Sequence, residues 1–245
     1  MGAREQAVEE PVWEGASKAL TANGVDRTSA QVLRLPRRDR RATQFGPSVI
    51  QLAFKRVTDI ALASCALVVF APAMLLAAAF IALDSRGPVL FRQTRLGLDG
   101  MPFRILKFRT MTVLEDGADV VQVREGDARV TRAGRVLRKA SLDELPQLLN
   151  VIRGEMSLVG PRPHAVAHDE MYGRLIPNYS LRQRVKPGIT GWAQVHGLRG
   201  ETRTLDAMRS RVDMDLWYAA HAGAALDALI LLRTPLEVVR RRNAH

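Results

Sequence analysis

A chain of 245 residues with 47% hydrophobic content and a formal net charge of +11 is too apolar to be disordered throughout, and long enough for one or two modest domains. Its single cysteine, Cys65, excludes an intramolecular disulfide framework and a zinc site built on several thiolates. The positive charge implies a polyanionic partner, whether nucleic acid, anionic lipid or nucleotide, without choosing among them.

Residues 1–47 mix charge with Ala, Thr, Gly and Pro, lack sustained apolar periodicity and end in Arg34, Arg37, Arg38, Arg40 and Arg41, the pattern of a flexible basic tail. Its opening, with Glu5, Glu9, Glu10 and Glu14, is not that of a signal peptide, so the N-terminus is expected in the cytoplasm. Ile60 to Leu83 carries no charge and lies between Lys55, Arg56 and Asp59 on one side and Asp84, Arg86, Arg92 and Arg95 on the other. As one straight helix it would be about 36 Å long, enough to cross about 30 Å of bilayer core. Pro72 splits the run near its middle and removes a helical hydrogen bond, which favours a kink. Basic flanks on both sides also lack the asymmetry of a spanning segment. A reentrant anchor over 48–86, bent at Ala71-Pro72 and returning to the same face, accounts for both features; a single-pass helix and a buried core helix are the alternatives.

Residues 87–245 read as a compact cytoplasmic domain, α+β but mostly helical. Val89 to Phe91 and Phe103 to Phe108, around the turn Gly97-Leu98-Asp99-Gly100, predict a small β-hairpin. The basic run Arg129, Arg132, Arg135, Arg138, Lys139 then leads into Ser141-Leu142-Asp143-Glu144-Leu145-Pro146-Gln147. Ser141-x-x-Glu144 matches a capping box, although Pro146 sits late for it and leaves Asp143 as an alternative cap. Either way two carboxylates open a helix that runs through Ile152 and stops at Gly154. The rotation of about 100° per residue points them in different directions, which suggests two roles. A helix start and a cationic strip both keep carboxylates ionised, fit to attack phosphorus or hold a metal, and the same cations draw in phosphate. The proline-rich loop Gly160-Pro161-Arg162-Pro163 suits the rigid placement of Arg162. Ala219 to Leu232, followed by Arg240, Arg241 and Arg242, suits a helix lying along a membrane surface or closing the core.

Five segments occur in order: Lys55-Arg56-x-x-Asp59; Lys107-Phe108-Arg109-Thr110-Met111; Leu137-Arg138-Lys139-x-Ser141-Leu142-Asp143-Glu144-Leu145-Pro146-Gln147; Gly160-Pro161-Arg162-Pro163; and Lys186-Pro187-Gly188-Ile189-Thr190-Gly191-Trp192-Ala193-Gln194-Val195. Together, over roughly Phe54 to Val239, they resemble the monotopic polyprenyl-phosphate phosphoglycosyl transferases, or bacterial sugar transferases. The resemblance implies an enzyme of the bacterial inner (cytoplasmic) membrane with its active site on the cytoplasmic face. Such an enzyme moves a sugar 1-phosphate from a UDP-sugar to polyprenyl (undecaprenyl) phosphate, releases UMP and initiates exopolysaccharide, capsule or a related glycan. The family pattern makes Asp143 the nucleophile that carries the phosphosugar, and Glu144 the ligand of Mg²⁺. Lys107, Arg109, Arg138 and Arg162 fall among the expected phosphate or nucleotide contacts, and Asp215 at an acidic motif position. Lys55 and Arg56 are expected where the anchor leaves the headgroups, in contact with anionic lipid or the carrier's phosphate.

Three departures stand out: Ala71-Pro72 replaces the family's usual Ser-Pro, His196 stands where asparagine is common, and Ala219-Ala220-His221-Ala222-Gly223-Ala224 replaces a more polar, tryptophan-bearing stretch. The stretch from His196 to Leu216 resembles the glucose-1-phosphate branch, with galactose 1-phosphate the close competitor. Nucleic acid is not an expected partner, since no recognised module interleaves aromatics with the basic residues; a homodimer is allowed. A membrane-tethered, lipid-binding scaffold with a dead site is the alternative of a different class, and the intact Asp143-Glu144 pair counts against it.

Overall fold

The computed structural model of the chain describes residues 49–112, 123, 126–200, 202 and 204–240. The basic tail expected over 1–47 lies outside the described residues, as do Arg241 and Arg242.

Helix α1 (Val49–Asp84) runs for 36 residues through Pro72. It contains no glycine and is rich in Ala and Leu, so propensity favours a helix from end to end. It is long and apolar enough to cross a membrane, and only 11% of its most apolar window is buried. Two separate stretches touch the rest of the protein. Ala63, with Ala66 and Leu67, packs against Leu148 and Val151. Ala77 and Ile81, with Met74 and Ala78, pack against Phe108, Ala133 and Leu137. Between these contacts Val68, Val69, Phe70, Ala71 and Pro72 are all exposed. On a helix lying along a surface, one of any four successive residues would face that surface. The middle of α1 therefore stands clear of the domain that both of its arms contact.

Strands β1 (Leu90–Leu96) and β2 (Pro102–Phe108) pair antiparallel, from Leu90 opposite Phe108 to Leu96 opposite Pro102. The hairpin is the expected one, and Asp99 and Gly100 supply its left-handed turn at φ 52° and 74°. Helix α2 (Arg132–Lys139) starts at Thr131, whose hydroxyl accepts from the Gly134 amide at 2.9 Å. Asp84 accepts from the Ala133 amide at 3.0 Å and so ties the end of α1 to the start of α2.

Helix α3 (Gln147–Arg153) is stopped by Gly154 at φ 87°. Strand β3 (Ser157–Val159) pairs in parallel with β4 (Gly188–Thr190), and between them run α4 (Val166–Leu175) and a 3₁₀ segment, Tyr179–Arg184. The one-turn α5 (Trp192–Val195), α6 (Leu205–His221) and α7 (Ala224–Arg240) complete the fold. Ala219 to Leu232, expected as one apolar element, is split by the break at Ala222-Gly223. Helix α7 buries Ile230 on the core while Leu229, Leu232 and Leu236 face outward.

The charged residues at the ends of α1 point inward, contrary to the lipid contacts expected of them. Lys55 pairs with Asp227 at 2.6 Å and donates to the Val159 carbonyl at 3.1 Å. Arg56 forks onto the carbonyls of Val151 and Ile152, each at 2.6 Å. The last carbonyls of a helix lack intrahelical donors, and one guanidinium satisfies two of them. Asp59 accepts from the Ser157 hydroxyl at 3.1 Å and the Leu158 amide at 3.0 Å.

Arg109 performs the same service at the other end of α1. It is 3% exposed and donates to the carbonyls of Ser85 at 2.6 Å, Ile81 at 3.4 Å, and Arg86. Arg109→Ala should therefore lower the unfolding free energy by about 1–3 kcal/mol, because it leaves the part-buried Ser85 and Arg86 carbonyls without this donor and empties a buried position. Lysine should not restore the loss, having no fork. Thermal unfolding of the detergent-solubilised variants measures both.

Candidate active site

After α2 the chain turns at Ser141, which takes the left-handed conformation at φ 57°. N-capping needs an extended residue whose hydroxyl reaches forward to the helix amides. In this turn the Ser141 hydroxyl instead accepts from Arg199 at 2.7 Å, so the expected capping box is not formed. Asp143 and Glu144 lie in a 3₁₀ turn, Leu142–Glu144, ahead of α3, and Pro146 occupies the N-cap position of that helix. The carboxylates thus precede the helix rather than open it.

The two side chains meet different surroundings. Glu144 is 6% exposed. It accepts from Lys107 at 3.2 Å, from Arg162 at 3.1 Å on one oxygen and again from Arg162 on the other, with Arg199 at 4.0 Å. Burial alone would raise its carboxyl, but Arg162 and Lys107 more than offset that and hold it well below the usual carboxylate range. Asp143 is half-buried, and among the described residues it takes no hydrogen bond or ion pair. Burial, then the neighbouring Glu144, pushes its carboxyl up, while Lys107, Arg138 and Arg162 pull the other way. Burial also brings the Lys107 ammonium down to about 8 against the attraction of Glu144. The result is one carboxylate locked by cations and one presented without partners inside the same cationic field.

Arg162 is held from behind by a buried network. Gly160 and Gly188 let the backbones of the Pro161-Arg162-Pro163 loop and β4 touch: a Cβ at Gly160 would lie 2.2 Å from the Lys186 carbonyl. Arg182 donates to the Arg162 carbonyl at 2.5 Å, and its Nη2 and Nε reach Asp215 at 2.7 and 3.1 Å. Asp215 therefore stands behind the site and acts on it through Arg182 and the loop. On the far side of Arg182, Tyr179 donates to Asp169 at 2.7 Å and meets His164 Nδ1 at 2.6 Å. Burial and then Arg182 keep His164 neutral, well below its ordinary range.

Of the residues expected at the site, Asp143, Glu144, Lys107, Arg138 and Arg162 come together; Arg109 goes to the end of α1, and Asp215 to the supporting network. Arg199, Arg182, Tyr179, His164 and Asp169 were not expected at all. Arg199 lies between Gly197 and Gly200, left-handed turn residues at φ 80° and 95°, which are the local signs that the chain doubles back there. The buried network has no local signature, because its members come from separate elements.

Asp169 offers a test of that network. Burial raises its carboxyl to about 6, against the opposing pull of Arg182 and the Tyr179 hydroxyl, with Arg95 lowering and Glu170 raising it slightly. An acid whose pKa rises on folding binds its proton more tightly in the folded state, so its contribution is fully present below about pH 4 and is lost as pH rises through 6. Asp169→Asn, which mimics the neutral form, should remove that slope and stabilise the protein at pH 7.5 by about 1–3 kcal/mol. Unfolding midpoints of both proteins from pH 4 to 7.5 measure the difference.

A cavity of about 120 Å³ adjoins Glu144 and Ser141 on the side of α5 and α7. For the implied Mg²⁺, the donor chemistry is the available test. Among the described residues there is no group of three or more His, Cys, Asp or Glu placed to hold an ion. A carboxylate offers about four acceptor positions, and three of Glu144's are taken. Mg²⁺ characteristically needs only one or two protein carboxylates, with phosphate oxygens and water completing its shell. Glu144, with Asp143 beside it, fits an ion that arrives on a phosphorylated ligand.

A family model described as bacterial sugar transferase matches residues 50–241. The chain is 56% identical over 191 residues to the UDP-glucose:undecaprenyl-phosphate glucose-1-phosphate transferase of Caulobacter vibrioides, a match covering 78% of this chain and 72% of that protein. Proteins of the same name from Klebsiella pneumoniae and Escherichia coli are 47% identical over 196 residues and 50% identical over 187. Those matches cover 80% and 76% of this chain but only 42% and 40% of the relatives' own lengths.

Proposed function

The chain belongs to the bacterial sugar transferase family, and on that premise we propose that it transfers glucose 1-phosphate from UDP-glucose to undecaprenyl phosphate, releasing UMP and initiating an exopolysaccharide. The observation that carries this reading is the contrast within the dyad: an Asp143 with no hydrogen bond or ion pair among the described residues, beside a Glu144 fixed by Lys107 and Arg162. Phosphoryl transfer is limited by charge repulsion between a carboxylate and a diphosphate, and a ring of cations offsets it. An oxygen of Asp143 attacks the glucose-bearing phosphorus, and the bond from that phosphorus to UMP breaks. A phosphate oxygen of the carrier lipid then attacks the same phosphorus, and the Asp143 carboxylate is regenerated. Lys107, Arg138 and Arg162 hold phosphate oxygens in place and draw charge from them. Mg²⁺, held by Glu144, would supply further neutralisation of the diphosphate when bound.

The anchor gives this chemistry its depth. Both arms of α1 touch one domain while Val68 to Pro72 stand clear, which supports a helix that enters the bilayer, turns at Pro72 and leaves by the same face. Residues 87–245 would then sit on the cytoplasmic face of the inner membrane, where the carrier presents its phosphate among the headgroups. Cysteines introduced near residues 50 and 90 should accordingly react with an impermeant thiol reagent from the same side; opposite-side labelling sinks the reentrant topology. The activity is tested with purified protein, UDP-glucose and Mg²⁺: UMP should appear, and the protein should gain the mass of a hexose phosphate. Absence of UMP even with undecaprenyl phosphate supplied overturns the function.

A further inference from the structure

The cavity beside Glu144 is walled by Leu145, Leu148, Ile189 and Val195; Thr190, Gln194 and Thr234 line it from β4, α5 and α7, and Arg199 lines it beside Ser141 and Glu144. The hydrogen bonds of these polar groups determine what they offer a ligand. Gln194 is 7% exposed, and its amide nitrogen donates to the Ile189 carbonyl at 3.1 Å. That bond fixes the amide, so the other atom is the acceptor oxygen, Oε1, which is buried without a partner. Thr234 donates its only hydroxyl proton to the Ile230 carbonyl at 2.8 Å. Thr190, 2.7 Å from the Thr234 hydroxyl, must therefore donate its own proton there. Both hydroxyls keep lone pairs and have no proton left. Thr190, Gln194 and Thr234 thus offer acceptors alone, while the donors of the lining belong to Arg199 beside Ser141 and Glu144.

Resting on the reading above that a UDP-sugar is the donor substrate, we infer that this cavity is the subsite for the hexose ring. A ligand there has to bring several hydroxyl donors and an apolar face, and a hexose does both. A hydrocarbon chain would leave the Gln194 oxygen unpaired, and a uracil ring brings one N–H donor flanked by two carbonyl acceptors, fewer donors than a hexose supplies. At about 120 Å³ the space is well below the few hundred Å³ of a site for a drug-sized molecule, so it takes a fragment of the donor and not the whole nucleotide sugar. The position agrees: in-line attack by Asp143 puts the departing UMP opposite the carboxylate and leaves the sugar on an equatorial oxygen, beside the turn whose Ser141 and Glu144 border the cavity.

The test is equilibrium binding of glucose 1-phosphate against inorganic phosphate, alongside UMP release from UDP-glucose and UDP-galactose, for wild type, Thr234→Val and Thr190→Val. Wild type should bind glucose 1-phosphate more tightly than phosphate, and each valine variant should lose about tenfold of that preference while binding phosphate as before. In turnover the variants should change the ratio of kcat/KM between the two UDP-sugars and leave inhibition by UMP, which carries no sugar, unaltered. Folded variants that keep both the preference and the ratio overturn the subsite, as does weakening of UMP in step with the sugar. If wild type binds glucose 1-phosphate selectively but releases no UMP from either donor, the transferase reading falls and the hexose site stands.

Discussion

Asp143→Asn should abolish UMP release and the hexose-phosphate adduct, with a loss of roughly a thousandfold or more in kcat and no loss of thermal stability. The two halves of that expectation have one source. Asp143 makes no hydrogen bond or ion pair among the described residues, so an amide of the same shape disturbs no packing. An amide oxygen, however, is no nucleophile toward phosphorus, and a covalent route without its nucleophile has no substitute in the site. Glu144→Gln should behave differently. It removes the negative charge that Lys107 and Arg162 surround, and partly buried cations left without a counter-charge cost about 1–3 kcal/mol. Activity and stability should then fall together. Intact-protein mass spectrometry, a UMP-release assay and a melting curve on the two variants separate these outcomes. An Asp143→Asn protein that turns over like wild type removes Asp143 from the mechanism.

What could be read from sequence was whatever is local. The hairpin follows from alternating apolar residues about an Asp-Gly turn, and α3 ends at the glycine expected to stop it. The apolar anchor was legible because hydrophobicity over a helix-long stretch is itself the signal. Misreadings arose where a side chain serves a distant backbone. Arg56 takes carbonyls about 95 residues away, and Arg109 takes those at the end of α1, so a basic residue that looks like a lipid or phosphate contact is a cap. Ser141 failed as a cap for a conformational reason: the left-handed φ that turns the chain out of α2 aims its hydroxyl at Arg199. The ordered motifs name the residues that gather around Asp143 and Glu144, but not how those residues divide between the dyad and its frame. Arg138 and Arg162 surround the dyad, whereas Asp215 and Arg109, equally good matches, hold parts of the frame.

Asp215→Ala should be the most destabilising change at a distance from the reacting groups, costing about 3–5 kcal/mol and inactivating the enzyme as well. Asp215 and Arg182 are each almost wholly buried, and among the described residues Arg182 has no second anion as close: Asp169 lies 3.7 Å away against 2.7 Å for Asp215. Burial raises the Asp215 carboxyl while Arg182 lowers it, so the pair persists only because each charge answers the other. Removing the carboxylate strands a guanidinium in the core, and the same guanidinium holds the Arg162 carbonyl that fixes the proline loop. The double variant Arg182→Met, Asp215→Leu tells frame from chemistry. With neither member of the closest pair left without the other, it should recover most of the lost stability, less what buried Asp169 loses with its more distant cation. Activity should stay low, because the Arg162 loop lacks its donor and Arg162 no longer meets Glu144 in a fixed orientation. Melting curves and UMP release on the three variants are the measurements. Full activity in the restabilised double variant would show that Arg182 and Asp215 contribute stability alone, and that the loop orients Arg162 without them.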